Sequence, residues 1–115
     1  MNPQEEMAHN NLGLIYMNQG RIRESEQEFL QELAIRPNSS LAFYNLGILY
    51  SRQGFRNEAE NSFLKSIKHN PNYIDAYQVL SINAYNQGDF EKSKKYLKEL
   101  QKRGENIDFT VSEIP

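Results

Sequence analysis

The sequence predicts an all-α protein built from three antiparallel helix pairs. Three observations lead there: the chain matches itself at an offset of 34 residues, apolar residues within each repeat fall at helical spacing, and glycine and proline punctuate the joins. Asn11 to Gly20 lies over Asn45 to Gly54 and then over Val79 to Gly88, each block ending in Gln-Gly. Phe29 corresponds to Phe63 and Leu97, and Pro3, Pro37 and Pro71 keep the same spacing. The repeats are residues 6–39, 40–73 and 74–107, read as a single domain over 1–107 with a tail over 108–115.

Within the second repeat Phe43, Leu46, Gly47 and Tyr50 stand at i, i+3, i+4 and i+7, one face of a helix. The glycine after that helix supplies a positive-φ position, so the chain can reverse in a short turn. In the second helix Ala59, Phe63 and Ile67 recur every fourth residue. Pro37 and Pro71 stop the second helices, which places Arg36 and Asn70 near their last residues. Asn72, with Asp75 three residues on, reads as an N-cap with a partial capping box. Pro3 shares the proline register and reads as the end of a preceding unit. Six helices of about 12 to 14 residues result, a length that is marginal for an isolated helix in water.

Such helices persist by burying their faces against neighbours, so the repeats must stack. Gly13, Gly47 and Ser81 in the first helices, and Ser25, Ala59 and Ser93 in the second, mark where backbones approach most closely. Leu33, Ile35 and Ile67 are expected to cover the following repeat. Gln101 and Arg103 stand at those offsets in the third, giving the polar outer face of a terminal repeat. The tail alternates apolar and polar residues from Ile107 to Ser112, the spacing of an extended segment. It suits folding over the open end, lying in a neighbour's groove, or disorder.

Composition narrows the chemistry. The 115 residues include no cysteine, which removes disulfides, thiolate catalysis and cysteine-bound zinc. A net charge of −2 gives no general reason to expect nucleic acid or an anionic membrane as partner. The polar, acidic opening is unlike a signal peptide, and no apolar run approaches membrane-spanning length, so the default location is cytoplasmic. His9 and His69 lack a second ligand at metal spacing and read as structural. Glu24, Glu28 and Glu32 share a helix face and read as a solvated row. No cofactor, metal or catalytic residue is assigned. The last helix carries Lys94, Lys95, Lys98 and Lys102 as a stripe opposite Tyr96, Leu97 and Leu100, read as a solubilising face interrupted by Glu91 and Glu99.

The residues in register resemble the tetratricopeptide repeat pattern, Trp-x2-Leu-Gly-x2-Tyr, then Ala-x3-Phe, then Pro, over 34 residues. The second repeat fits with Phe43, Leu46, Gly47, Tyr50, Ala59, Phe63 and Pro71, and the first with His9, Leu12, Gly13, Tyr16, Ser25, Phe29 and Pro37. The third departs at Ser81, Ala84, Leu97 and Glu105. The resemblance implies a right-handed superhelix of helix pairs, an α-solenoid, whose first helices line a concave groove that holds a peptide or a partner's helix.

A helical wheel locates the corresponding face. Opposite the packed side of the second repeat's first helix stand Leu41, Asn45, Ile48 and Arg52. A shift of one repeat gives Met7, Asn11, Leu14 and Asn18, or Asp75, Val79, Ile82 and Asn86. Leu14, Ile48 and Ile82 form an apolar stripe bordered by Asn10, Tyr44 and Gln78. An asparagine amide both donates and accepts, so Asn11 and Asn45 suit the gripping of a peptide backbone. This arrangement is similar to the asparagine ladder of the superhelix in protein O-linked N-acetylglucosamine transferases, although Val79 interrupts it. Co-chaperones that clamp acidic heat-shock-protein C-termini use two lysines, two asparagines and an arginine on this surface. Here those places hold Asn10, Leu14, Asn45, Asp75 and Val79, so an acidic chaperone C-terminus is not expected to bind. The expected partner is a neutral or mixed-charge protein or peptide, held without catalysis. The alternatives are self-association through the ends or tail, or a piece of a longer repeat array whose activity lies elsewhere.

Overall fold

The computed structural model describes residues 3–103, with side chains from residue 8 onward. It contains helices α1 (Pro3–Asn18), α2 (Ile22–Ile35), α3 (Ser40–Arg52), α4 (Arg56–His69), α5 (Ile74–Asn86) and α6 (Phe90–Arg103), and no strand among the described residues. The protein is an all-α helical repeat. It divides into two compact units, Met1–His69 with α1 to α4 and Asn70–Pro115 with α5 and α6. The expected tail lies outside the described residues.

Each hairpin turns the same way. The α1 end donates from Gly20 N–H to the Met17 carbonyl at 3.0 Å and from Arg21 N–H to the Tyr16 carbonyl at 2.8 Å. Gly54 and Phe55 repeat this pair after α3, and Gly88 and Asp89 after α5. This is the Schellman closure, which satisfies the last carbonyls of a helix provided one residue adopts positive φ. Gly20, Gly54 and Gly88 do so, at 78°, 82° and 83°. The repeated Gln-Gly is therefore a C-cap followed by its left-handed residue.

The two helices of a hairpin meet through small residues. A Cβ added to Gly13 would lie 2.4 Å from the Phe29 ring, and one added to Gly47 would lie 2.5 Å from the Phe63 ring. Phe29 and Phe63 are both fully buried. In α5 the slot holds Ser81, and the residue facing it in register is the smaller Leu97; both are buried. The Ser25 hydroxyl donates to the Gly13 carbonyl at 2.7 Å, and Ser93 donates to the Ser81 carbonyl at 2.9 Å. Ala59 fills that place in the middle hairpin. In the first unit Met17, Phe29, Leu46 and Leu49 form a cluster on which Leu14, Ile22, Leu33, Ile48 and Tyr50 pack.

Four local expectations need correction. Helix α5 starts at Ile74, with Tyr73 at the N-cap position and no side-chain capping hydrogen bond, so Asn72 is not the cap. Asn72 N–H instead donates to Asn70 Oδ1 at 3.2 Å, a turn made before the helix begins. In register with Tyr73 is Ser39, whose hydroxyl does cap α3 by accepting from Ala42 N–H at 3.2 Å. Pro3 is the first residue of α1, where its missing N–H and fixed φ are suited, rather than a terminator like Pro37 and Pro71. Ile35, expected to cover the next repeat, is half exposed because it is the last residue of its helix.

The glutamate row is the fourth. Glu32 is buried and paired with Arg36 one turn later, Glu28 accepts from His9 at 2.9 Å, and Glu24 accepts from Arg21 Nε at 2.7 Å. Each carboxylate has found a cation or imidazole within reach. The Arg21 guanidinium, with backbone hydrogen bonding, holds the Glu24 carboxyl below its ordinary value.

Candidate peptide-binding face of the first helices

In the first unit α3 packs against α1, α2 and α4, whereas α1 packs against α2 and α3. Side chains at one register therefore differ in exposure. Asn11 on α1 is exposed, while its counterpart Asn45 on α3 retains 4% of its surface. Asn10 is more deeply buried, at 2%. The wheel put these asparagines on an open face; the structure buries two of them, because a helix with neighbours on several sides keeps little open surface. Neither is fully satisfied, since Asn10 Oδ1 and Asn45 Nδ2 have no hydrogen-bond partner among the described residues.

The other residues of the expected face fall into two groups. Asn18 and Arg52 are exposed near the ends of α1 and α3. Leu14, Leu41, Tyr44 and Ile48 are half-buried; Leu14 and Ile48 rest on the core cluster, and the Tyr44 ring lies 5.7 Å from that of Phe63. These aliphatics thus anchor the helices and still present an edge outward. In the second unit, α5 offers half-buried Gln78 and Ile82 and exposed Asn86. Asp75 is exposed and Val79 half-buried on the same helix.

Some contacts were not legible beforehand. The Tyr50 hydroxyl on α3 donates to Glu26 Oε2 on α2 at 2.8 Å, tying one repeat to the next. Burial, followed by that carboxylate, pushes the phenol up to about 12. A cavity of about 280 Å³ between α2, α3 and α4 is lined by Leu30, Leu33, Phe43, Tyr50 and Lys65 among others. The rings of Phe43 and His69 stack at 5.5 Å, so His69 serves packing. The advance signal for that cavity was Leu30, which stands one helical turn before Leu33 on α2. Among the described residues no group of three or more histidine, aspartate or glutamate side chains could hold a metal, and no helix is long and apolar enough to cross a membrane.

Models of the tetratricopeptide repeat match residues 40–73 and, in a second version, residues 8–39 and 74–103. The chain belongs to the tetratricopeptide repeat family. No curated protein sequence matches it. Among solved structures it is similar to a crystal structure of MamA, with TM-score 0.81 and 23% identity over 87% of this chain and 58% of that one. MamA from Desulfovibrio magneticus RS-1 gives TM-score 0.78 and 17% identity over 94% of this chain and 61% of that one. The tetratricopeptide repeat chain thus spans less than two thirds of these MamA chains. The first tetratricopeptide repeat domain of Spaghetti (RPAP3), solved with the HSP90 peptide SRMEEVD, gives TM-score 0.79 and 18% identity over 94% and 86%. At these identities the likeness is one of fold.

Proposed function

We propose that the chain is a non-catalytic protein-interaction module whose first helices hold an extended peptide or helix of a partner protein. Tetratricopeptide repeats are in general interaction modules without chemistry of their own, and all three repeats here belong to that family. The finer reading rests on the pairing of amides with half-buried aliphatics along α1 and α3, and above all on Asn45. Its Nδ2 is buried without an acceptor, a situation that costs about 1 to 3 kcal/mol. Rotation of that amide toward a peptide carbonyl would remove the penalty. Asn11 and Asn18 supply further amides, Leu14 and Ile48 the apolar contact, and α5 repeats the theme with Gln78, Ile82 and Asn86.

Screening the full chain against an immobilised peptide library and titrating the best peptide tests this reading. Asn45→Ala should weaken binding by about 1 to 3 kcal/mol with unchanged far-UV circular dichroism. Equal affinity of the Asn45→Ala and Asn11→Ala variants with the parent would remove the asparagines from the site.

The peptide SRMEEVD is expected not to bind, although it is bound in the Spaghetti (RPAP3) structure. Asp75 and Val79 stand where a carboxylate clamp needs cations, and an exposed aspartate repels the peptide's acidic residues. Saturable binding of that peptide, lost at high salt, would show this expectation wrong.

A further inference from the structure

Ala8, Leu12, Ile15 and Gln19 run along one side of α1 at i, i+4, i+7 and i+11, and all four are exposed, Leu12 at 41% and Ile15 at 50%. One repeat on, helix α3 places Ala42, Leu46 and Leu49 at the same register and buries all three, Leu46 to 4% and Leu49 to 0%. Helix α2 contributes the cover. Its Ile22 and Leu33 pack on the cluster that holds Leu46 and Leu49, Leu30 and Leu33 line a cavity with Leu46 and Tyr50, and Glu26 accepts from the Tyr50 hydroxyl at 2.8 Å. Helix α1 repeats the tyrosine as Tyr16, whose hydroxyl meets no carboxylate among the described residues. The stripe on α1 is thus the receiving half of the α2–α3 contact, repeated without its cover.

We propose that this stripe docks an amphipathic helix of a partner protein that carries the pattern of α2: an aliphatic residue, a carboxylate one turn later, then two leucines, spaced as Ile22, Glu26, Leu30 and Leu33 are. Removal of Leu12 and Ile15 from water drives the contact. The carboxylate fixes its register by accepting from the Tyr16 hydroxyl, as Glu26 does from Tyr50. The chain's own last helix does not meet the pattern. At the register of those four α2 residues, α6 holds Phe90, Lys94, Lys98 and Gln101. A lysine ammonium has no lone pair with which to accept from a hydroxyl, and Lys98 and Gln101 replace both leucines, so α6 of a second copy is a poor occupant. The asparagines of the first helices play no part in this contact, which stands or falls apart from the peptide-binding reading.

The probe is a fluorescein-labelled peptide copying residues 21–36, stapled between the exposed positions Gln27 and Gln31 because a helix of that length is marginal alone. Added to the full chain, it should raise anisotropy saturably. Leu12→Glu in the chain should abolish the rise while circular dichroism stays helical, since the side chain is already open to water. Tyr16→Phe in the chain and Glu26→Gln in the peptide should each weaken binding several-fold, and together little more than either alone. Absence of saturable binding, or binding that survives Leu12→Glu, overturns the proposal. If Leu12→Glu unfolds the chain, backbone amide shifts of the parent decide. Shifts centred on Leu12, Ile15 and Tyr16 support docking there, whereas shifts centred on α3, from displacement of the chain's own α2, overturn it. A free chain that is dimeric by light scattering, and monomeric as Leu12→Glu, would give the stripe to a second copy and overturn the proposal as well.

Discussion

The hairpins of the first unit and the hairpin of the second solve one packing problem with different residues. In α1–α2 and α3–α4 a glycine lets a phenylalanine ring lie directly on the helix backbone, at distances that admit no Cβ. In α5–α6 the small partner has grown to Ser81 and the large one has shrunk to Leu97. The Ser81 hydroxyl donates to the Gln78 carbonyl of its own helix at 2.8 Å, which satisfies it within α5. Volume is conserved across the pair and not at either position. The third repeat's departures from the family pattern at positions 81 and 97 are therefore one departure.

A transplant between the units tests that coupling and carries the largest expected effect. Gly47→Ala should destabilise the first unit, because about 1 to 3 kcal/mol of overpacking against the fully buried Phe63 ring outweighs the roughly 1 kcal/mol gained in helix propensity. Phe63→Leu alone should also destabilise, by leaving a cavity. The double variant, which imitates the second unit, should lose less than the sum of the two in urea unfolding. Additive losses would mean the positions are independent and would dissolve the comparison.

Helix starts divide the units the other way. The first helix of the middle repeat has its cap in Ser39, while that of the last repeat begins at Tyr73 without one. In the second unit the side-chain cap belongs to α6, where Asp89 Oδ1 accepts from Lys92 N–H at 3.1 Å. Ser39→Ala should cost about 1 kcal/mol, and Tyr73→Ser should give α5 a side-chain cap of similar worth, set against the loss of a half-buried ring. Thermal melts of the two variants read the difference. A neutral Ser39→Ala would show that the α3 start is held by tertiary contacts alone.

What was legible in the sequence was whatever repeats. The 34-residue register carried the turns, the glycine-to-aromatic contacts and the helix ends, because each depends on a residue type recurring at a fixed offset. What depends on a one-residue placement was not: Asn72 has the chemistry of a cap but stands one residue too early, and only the register with Ser39 could have said so. Burial of Asn10 and Asn45 was hidden for another reason. A wheel gives the direction of a side chain, not how many helices surround its own. Glu32 illustrates a third limit, since its i,i+4 partner Arg36 was plain in the sequence, yet the depth of the pair was not.

The smallest effect separates the units by pH. At one position of the register the repeats hold Tyr16, Tyr50 and Ala84. Among the described residues Tyr50 alone of these is tied to a carboxylate, and its phenol is raised to about 12 by burial and by Glu26. An unfolded tyrosine ionises near 10, so between these values the native state keeps a proton that the unfolded state has lost. The stabilisation is fully present below pH 10 and disappears as pH rises through about 12. The phenol is partly open to water, which screens the pair and keeps the effect small. Comparison with Tyr50→Phe isolates it from the other tyrosines. The parent should be the more stable at neutral pH, and the gap between the two urea midpoints should close across that alkaline window. A gap that stays constant there would mean that the Tyr50 hydroxyl gains nothing from Glu26. Buried Ala84 offers no proton at that position of the second unit, so the closing gap belongs to the first.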